Sequence, residues 1–139
     1  MDLPVTFTVK NDDITPKKDT WHAFLADETL LIGTPKEFGG KGLGASPEHL
    51  FASSLLECFI GTFKIVAKRS NFKYESIQGQ ATVTVDKNQN GKPWMKEVRI
   101  HVKIDTTTNK NKQDSIIEVT LDNCFIHRSV KSNVVVTHE

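Results

Sequence analysis

Residues 42–59 have the sequence GLGASPEHLFASSLLECF, in which a glycine-rich turn leads into an apolar segment that carries a cysteine. Ser46 is suited to cap a helix, Pro47 to occupy its first position, and Glu48 to stabilise its first turn. Apolar residues recur on one face of the segment that follows, as they do in a core helix. The pattern predicts a long central helix from Pro47 to about Ser70.

The chain has two cysteines, Cys58 in the predicted helix and Cys124. The N-terminus lacks the basic and then apolar pattern of a secretory signal, which predicts a cytoplasmic, reducing location. A permanent structural disulfide is disfavoured there, which leaves a buried thiol, a metal ligand or a redox-cycling thiol. Cys58 alone is more typical of a small buried hydrophobe, since it lies about three turns from the helix N-terminus and beyond the reach of its dipole.

Length and composition narrow the class of protein. A chain of 139 residues with 37% hydrophobic content is enough for one compact domain, predicted to cover residues 1–139. The net charge is +1 and the basic residues are scattered between acids, so we expect no nucleic-acid partner. Lys64 and Lys68 interrupt the most hydrophobic stretch, so we also expect no membrane span.

The order of predicted elements indicates an α+β fold. Alternating apolar residues predict strands over 5–10, 22–26, 29–33, 77–85, 98–104 and 134–136. Asn90-Gly91 is typical of a hairpin turn and joins two of these strands into an antiparallel pair. A second helix is predicted from near Gln113 toward Cys124.

Glu48 precedes Cys58 by ten residues. On a straight helix this offset separates them by about 15 Å along the axis, so they cannot touch within one chain. If Glu48 belongs to the site of Cys58, it must approach the cysteine of a second copy, which places the site at a dimer interface. The alternative is that Glu48 only stabilises the helix dipole.

Two other sites are conceivable from the sequence. Cys124 and His127 have a spacing found among zinc ligands, but a second closely spaced ligand pair is missing. The glycine-rich loop 39–44 precedes a helix, where backbone N–H groups can hold phosphate. It lacks the Gly-Lys-Ser/Thr ending of a P-loop, and flexible loop packing is the better explanation of its glycines.

The segment from Ser46-Pro47-Glu48 to Cys58, with Cys124 between a second helix and a valine-rich strand, resembles the OsmC/Ohr family of thiol peroxidases. The resemblance implies an intertwined α+β homodimer, with antiparallel sheets packed around the long central helix. It further implies that the two active sites lie at the subunit interface. No metal and no organic cofactor is implied.

The resemblance also implies a mechanism. Cys58 would attack the O–O bond of an organic hydroperoxide and become a sulfenic acid. Cys124 would condense with it to a disulfide, which a dithiol reductant would reopen. Glu48 matches the acid that orients a catalytic arginine in the family.

The arginines depart from the family pattern. They are Arg69, Arg99 and Arg128, and none lies before the central helix, where the family arginine is expected. Lys36 or Lys41 could supply charge there, without the planar fork of a guanidinium group.

Three hypotheses therefore follow. The leading one is a dimeric cysteine-based peroxidase that uses Cys58, Cys124 and Glu48. The second is a non-enzymatic small-molecule-binding protein, with Phe51, Phe59 and Phe63 as lining candidates. The third is a redox sensor, in which oxidation of the two cysteines changes partner binding.

Overall fold

The computed structural model describes residues 2–139 and divides the chain into two compact units, an N-terminal unit up to Leu50 and a C-terminal unit from Phe51 to Glu139. The elements are β1 (Val9–Asn11), β2 (Thr20–Leu25), β3 (Glu28–Gly33), a 3-10 turn (Lys36–Phe38), α1 (Pro47–Arg69), β4 (Ser76–Lys87), β5 (Pro93–Asp105), α2 (Lys110–Asp122), α3 (Phe125–Arg128) and β6 (Asn133–His138). The α+β class and the central helix are confirmed. A single domain over residues 1–139 stays a prediction.

The N-terminal unit contains an antiparallel meander in the order β1-β2-β3. The first strand begins at Val9 rather than at residue 5, so that prediction was wrong by four residues. Val9 pairs with Leu25, the last residue of β2, and the chain turns immediately afterwards. Residues before Val9 therefore have no β2 partner, although they alternate in polarity as strand residues do.

The C-terminal unit contains a three-stranded sheet in the order β4-β5-β6. The predicted hairpin is confirmed, since β4 and β5 pair antiparallel from Ser76 opposite Asp105 to Lys87 opposite Pro93. In contrast, β5 and β6 pair parallel, so the expectation of purely antiparallel sheets was wrong for this pair. The reason is that α2 and α3 lie between these strands and return the chain in the same direction.

The core of the C-terminal unit lies between α1, the sheet and α2. From α1 it receives Leu55, Phe59 and Phe63, each completely buried. Burying side chains of this size contributes about 1.5–3 kcal/mol each. At Gly79 of β4 an added Cβ would lie 2.7 Å from the Leu56 side chain, so a larger residue in the strand would require that side chain to move. The other members of the cluster are Val66, Ala67, Phe72, Val98, Ile100, Val102, Ile104, Ile116, Ile117 and Cys124.

α1 is also apolar enough to resemble a membrane span. It has 23 residues and an 18-residue window of mean hydropathy 1.6, which satisfies the length and composition of a bilayer-crossing helix. The expectation that Lys64 and Lys68 exclude such a stretch was therefore wrong. Its buried face explains the composition, because Leu55, Phe59 and Phe63 lie in the core of the C-terminal unit.

Candidate thiol site

The two cysteines lie side by side in the C-terminal unit. Cys58 is on α1 and is partly exposed, whereas Cys124 caps the start of α3 and is completely buried. Both are free thiols, Cys58 packs against the core cluster that contains Cys124, and the two side chains interact directly. The sequence left open how far apart these sulfurs lie, and the fold places Cys58 near enough to Cys124 to raise the pKa of the Cys124 thiol.

The two thiols differ in their surroundings. Burial raises the pKa of the Cys124 thiol from its ordinary value of 9.0 to about 11, and the neighbouring Cys58 raises it as well. The hydroxyl of Thr62 and the charge of Arg128 act in the opposite direction on the same pKa. At neutral pH Cys124 is therefore a protonated, enclosed thiol, and Cys58 is the thiol that solvent reaches.

His127 connects the two elements that carry the thiols. Its ring Nε2 donates a hydrogen bond to the backbone oxygen of Leu55 in α1, at 2.9 Å. Its backbone N–H donates to the backbone oxygen of Cys124, at 3.1 Å. One residue thus bonds to α1 a single turn before Cys58 and to the peptide of Cys124 itself.

Sequence reasoning missed the residues around the thiol pair. Thr62 lies four positions after Cys58, and Arg128 lies four positions after Cys124. That spacing puts Thr62 on the same helix face as Cys58 and was available as a signal. His127 was considered as a metal ligand and, like the other histidines, as a surface or interface residue. Its bond to Leu55 spans 72 positions, which no local pattern reveals.

The basic side chains that could act on the thiols differ in what they contact. Lys41 forms an exposed ion pair with Asp19 at 2.9 Å, and the hydrogen bond to that carboxylate raises the pKa of Lys41. Arg99 pairs with Glu97 on β5. Arg128 is the arginine whose charge acts on Cys124, and its Nη1 donates to the backbone oxygen of Asp122 at 2.7 Å.

The start of α1 confirms the predicted cap. Ser46 Oγ accepts a hydrogen bond from the backbone N–H of His49 at 3.2 Å. The ring Nδ1 of His49 accepts one from the backbone N–H of Ser46 at 3.1 Å and lies 2.7 Å from Ser46 Oγ. This is the reciprocal arrangement of a capping box, with histidine in the place of glutamate.

Glu48 follows this cap and is partly buried. Its Oε2 atom is enclosed and has no hydrogen-bond partner among residues 2–139. A buried carboxylate oxygen without a partner costs free energy, and native proteins normally provide one. Glu48 therefore requires more than its position in the first turn of α1 to explain it.

The glycine-rich loop offers little to a phosphate. It borders a cavity of about 230 Å³ in the N-terminal unit. The N–H groups of Gly39, Gly40 and Gly42 already donate to the backbone oxygens of Lys36, Pro35 and Thr34. Anion binding needs free N–H groups directed at the ligand, so these hydrogen bonds argue against a phosphate cradle.

Two other predictions from the sequence concerned a binding cavity lined by phenylalanines and a zinc site. Phe59 and Phe63 are completely buried, and the ring of Phe63 contacts Phe72 and Tyr74, so these residues fill the core rather than line a cavity. Across residues 2–139, no group of three or more His, Cys, Asp or Glu side chains is placed to hold a metal ion.

An α+β fold with an accessible thiol beside a buried one defines a dithiol protein with a long central helix. The sequence profile of the OsmC-like protein family matches residues 39–139, and the chain belongs to that family.

Relatives agree with this assignment. An uncharacterised protein of Acinetobacter baylyi is 37% identical over 76 residues, which are 52% of this chain and 50% of that protein. The chain thus matches about half the length of this relative. The organic hydroperoxide resistance protein-like 1 of Staphylococcus epidermidis is 22% identical over 132 residues, 95% of this chain and 93% of that protein.

Solved structures share the fold. An OsmC-like protein of unknown function from Vibrio cholerae superposes with a TM-score of 0.86 at 18% identity, covering 98% of this chain and all of that one. The organic hydroperoxide resistance protein OhrB of Bacillus subtilis has a TM-score of 0.70 at 22% identity, with 97% of each chain covered.

Proposed function

We propose that this protein is a thiol-dependent peroxidase that reduces organic hydroperoxides. The observation that carries the proposal is the pair of neighbouring free thiols, one partly exposed and one buried. Membership of the OsmC-like family supports it, as does similarity to proteins named for organic hydroperoxide resistance. A reducing cytoplasm is the expected location, because it would supply the dithiol that reopens the disulfide.

The proposed reaction has two steps on this chain. The Cys58 thiolate attacks one oxygen of the hydroperoxide, the O–O bond breaks, and the alcohol leaves with a proton while Cys58 becomes a sulfenic acid. The sulfur of Cys124 then bonds to the sulfur of Cys58, the S–O bond breaks, and the hydroxyl leaves as water with the proton of Cys124. A dithiol then reduces the disulfide by exchange and becomes oxidised itself.

The surroundings of the two thiols support this division of roles. A substrate can reach Cys58, which is partly exposed, more readily than Cys124, which is completely buried. The raised pKa of Cys124 keeps it protonated at neutral pH, so it does not compete as the first nucleophile. It becomes reactive when the sulfenic acid forms beside it.

We further propose that the active protein is an intertwined homodimer with its sites at the subunit interface. Glu48 precedes Cys58 by ten positions on one helix, so Glu48 of one copy is proposed to approach Cys58 of the other. The unpartnered Oε2 of Glu48 supports a missing neighbour. So do exposed apolar side chains of the N-terminal unit, among them Leu3, Val5, Phe7, Val9, Phe24, Leu31 and Leu43.

The test is consumption of cumene hydroperoxide with dithiothreitol as the reductant. Wild type should turn over, and Cys58→Ser should lose at least about a hundredfold in rate, because serine is not activated as a nucleophile here. Cys124→Ser is the matched control and, in the absence of dithiothreitol, should still consume one equivalent of hydroperoxide per chain, because Cys58 alone carries out the first step. Equal rates for wild type and Cys58→Ser would contradict the proposal.

The redox-sensor hypothesis uses the same thiol pair, and turnover separates the two. A sensor oxidises once and passes the change to a partner, whereas a peroxidase continues as long as dithiol is supplied. Sustained consumption of many equivalents favours the peroxidase.

A further inference from the structure

The bond between His127 and Leu55 joins the segment that begins at Cys124 to the helix that carries Cys58. The Leu55 oxygen lies within α1, one turn before Cys58, and Leu55 is completely buried. His127 lies in the first turn after Cys124, on the four-residue helix α3. The hydrogen bond at 2.9 Å therefore connects the segments on which the two sulfurs are carried.

The acceptor of this bond determines that Nε2 of the His127 ring carries a proton. A backbone oxygen can only accept, so Nε2 of His127 must carry the proton that it donates. Both the neutral Nε2–H tautomer and the protonated ring meet this requirement. The bond is consequently available whether or not the ring is charged, which suits a structural link rather than a proton carrier.

The hydrogen bond from His127 to Leu55 is directional, unlike the apolar contacts around it. Leu55, Ile117 and Cys124 belong to one apolar cluster, and apolar contact leaves neighbouring elements some freedom to slide. A hydrogen bond to a single carbonyl oxygen specifies distance and orientation. The bond between the His127 backbone N–H and the Cys124 oxygen, at 3.1 Å, extends that constraint to the cysteine.

We propose that His127 is a positioning residue that holds Cys124 against Cys58 and thereby accelerates closure of the disulfide between them. The inference rests on the proposed function for its biological role, but the positioning itself needs no hydroperoxide. Its physical basis is that an intramolecular reaction gains rate when the reacting atoms are held near contact.

The experiment measures proximity directly. The reduced protein is equilibrated with mixtures of reduced and oxidised glutathione, in which the Cys58–Cys124 disulfide forms as two glutathione molecules are released in the reduced form. The fraction closed gives the effective concentration of one thiol toward the other. In parallel, stopped reactions with cumene hydroperoxide give the separate rates of sulfenic acid formation and of closure.

Two variants distinguish the loss of the hydrogen bond from the loss of side-chain volume at position 127. The amide nitrogen of glutamine reaches about as far as Nε2 of histidine, whereas that of asparagine corresponds to Nδ1 and stops short. We expect His127→Asn to lower the effective concentration and the closure rate by about tenfold, and His127→Gln to restore most of both. The rate of sulfenic acid formation should stay within about twofold in either variant, because His127 acts on the second step alone.

The control is His101→Asn, which removes a histidine of the same unit that hydrogen-bonds to Thr137 on β6 and leaves α1 and α3 untouched. It should behave as wild type. Closure in His127→Asn as efficient as in wild type, or an equal loss in His127→Asn and His127→Gln, would overturn the inference. If hydroperoxide fails to oxidise wild type while glutathione still reveals the difference between variants, the proposed peroxidase activity falls and the positioning role stands.

Discussion

The two units of this protein use apolar residues in opposite ways. In the C-terminal unit, thirteen buried side chains form one cluster that includes Cys124, with Cys58 packed against it. Within residues 2–50, the buried residues are Ile32, Gly33 and Ser46, while Phe7 remains 92% exposed. The comparison indicates that the C-terminal unit has its own core, and that apolar side chains of the N-terminal unit are available to a partner.

The largest predicted effect lies in the core of the C-terminal unit. Phe59→Ala should lower the free energy of unfolding by about 3–5 kcal/mol, because the ring is completely buried and its removal leaves a cavity. Phe125→Ala is the matched control, since that ring is 58% exposed, and it should cost less than about 1 kcal/mol. Urea denaturation followed by circular dichroism measures both, and similar losses would break the contrast between buried and exposed rings.

The second effect concerns pH. The pKa of Cys124 is higher in the folded chain than in the unfolded chain, so protonation of this thiol stabilises the folded state. This stabilisation is fully present below pH 9, where the thiol is protonated in both states. Between pH 9 and about 11 the unfolded chain loses this proton first, so stability falls as pH rises. The loss amounts to about 2–3 kcal/mol for one thiol.

Denaturation of the reduced protein at a series of alkaline pH values tests this expectation. Cys124→Ala is the comparison, because it removes this titration and keeps the other groups. Its stability should decline less steeply than that of wild type between pH 9 and 11. Parallel curves would show that burial does not hold the Cys124 proton.

The third effect tests the N-terminal unit. If its exposed apolar residues lie between two copies of the chain, Phe7→Asp should raise the dimer dissociation constant by about tenfold or more, because it buries an unpaired charge. Asp13→Asn, which alters an exposed polar residue of the same unit, should leave the constant unchanged. Sedimentation equilibrium provides the measurement, and an unaltered dimer in Phe7→Asp would remove this surface from the interface.

The smallest effect concerns the helix that contains residues of both units. Ser46→Ala removes the oxygen that caps α1 and should cost about 1 kcal/mol. Ser53→Ala changes an exposed serine inside the same helix and should be neutral or slightly stabilising. Thermal unfolding resolves the pair, and an equal response would mean that the cap contributes nothing.

Local chemistry explains what the sequence predicted well. The span of α1 follows from Ser46, Pro47 and a continuous apolar face, and the hairpin from two alternating segments around Asn90-Gly91. These signals lie close in sequence to the residues whose conformation they determine, so they can be recognised without knowledge of the fold.

What the sequence missed depends on partners far along the chain. The true start of β1 is set by where β2 ends, at Leu25, and the parallel pairing of β6 by the helices that precede it. The neighbourhood of the thiols has the same character, because the bond from His127 to Leu55 joins residues 72 positions apart.

The most direct test of the thiol pair is its covalent state after a single oxidation. Reduced protein is treated with one equivalent of cumene hydroperoxide, alkylated, digested and mapped by mass spectrometry. We predict a peptide that links Cys58 to Cys124 of the same chain, together with the loss of two hydrogen atoms from the intact protein. Recovery of both cysteines as alkylated thiols, or of Cys58 overoxidised beside a free Cys124, would contradict the account.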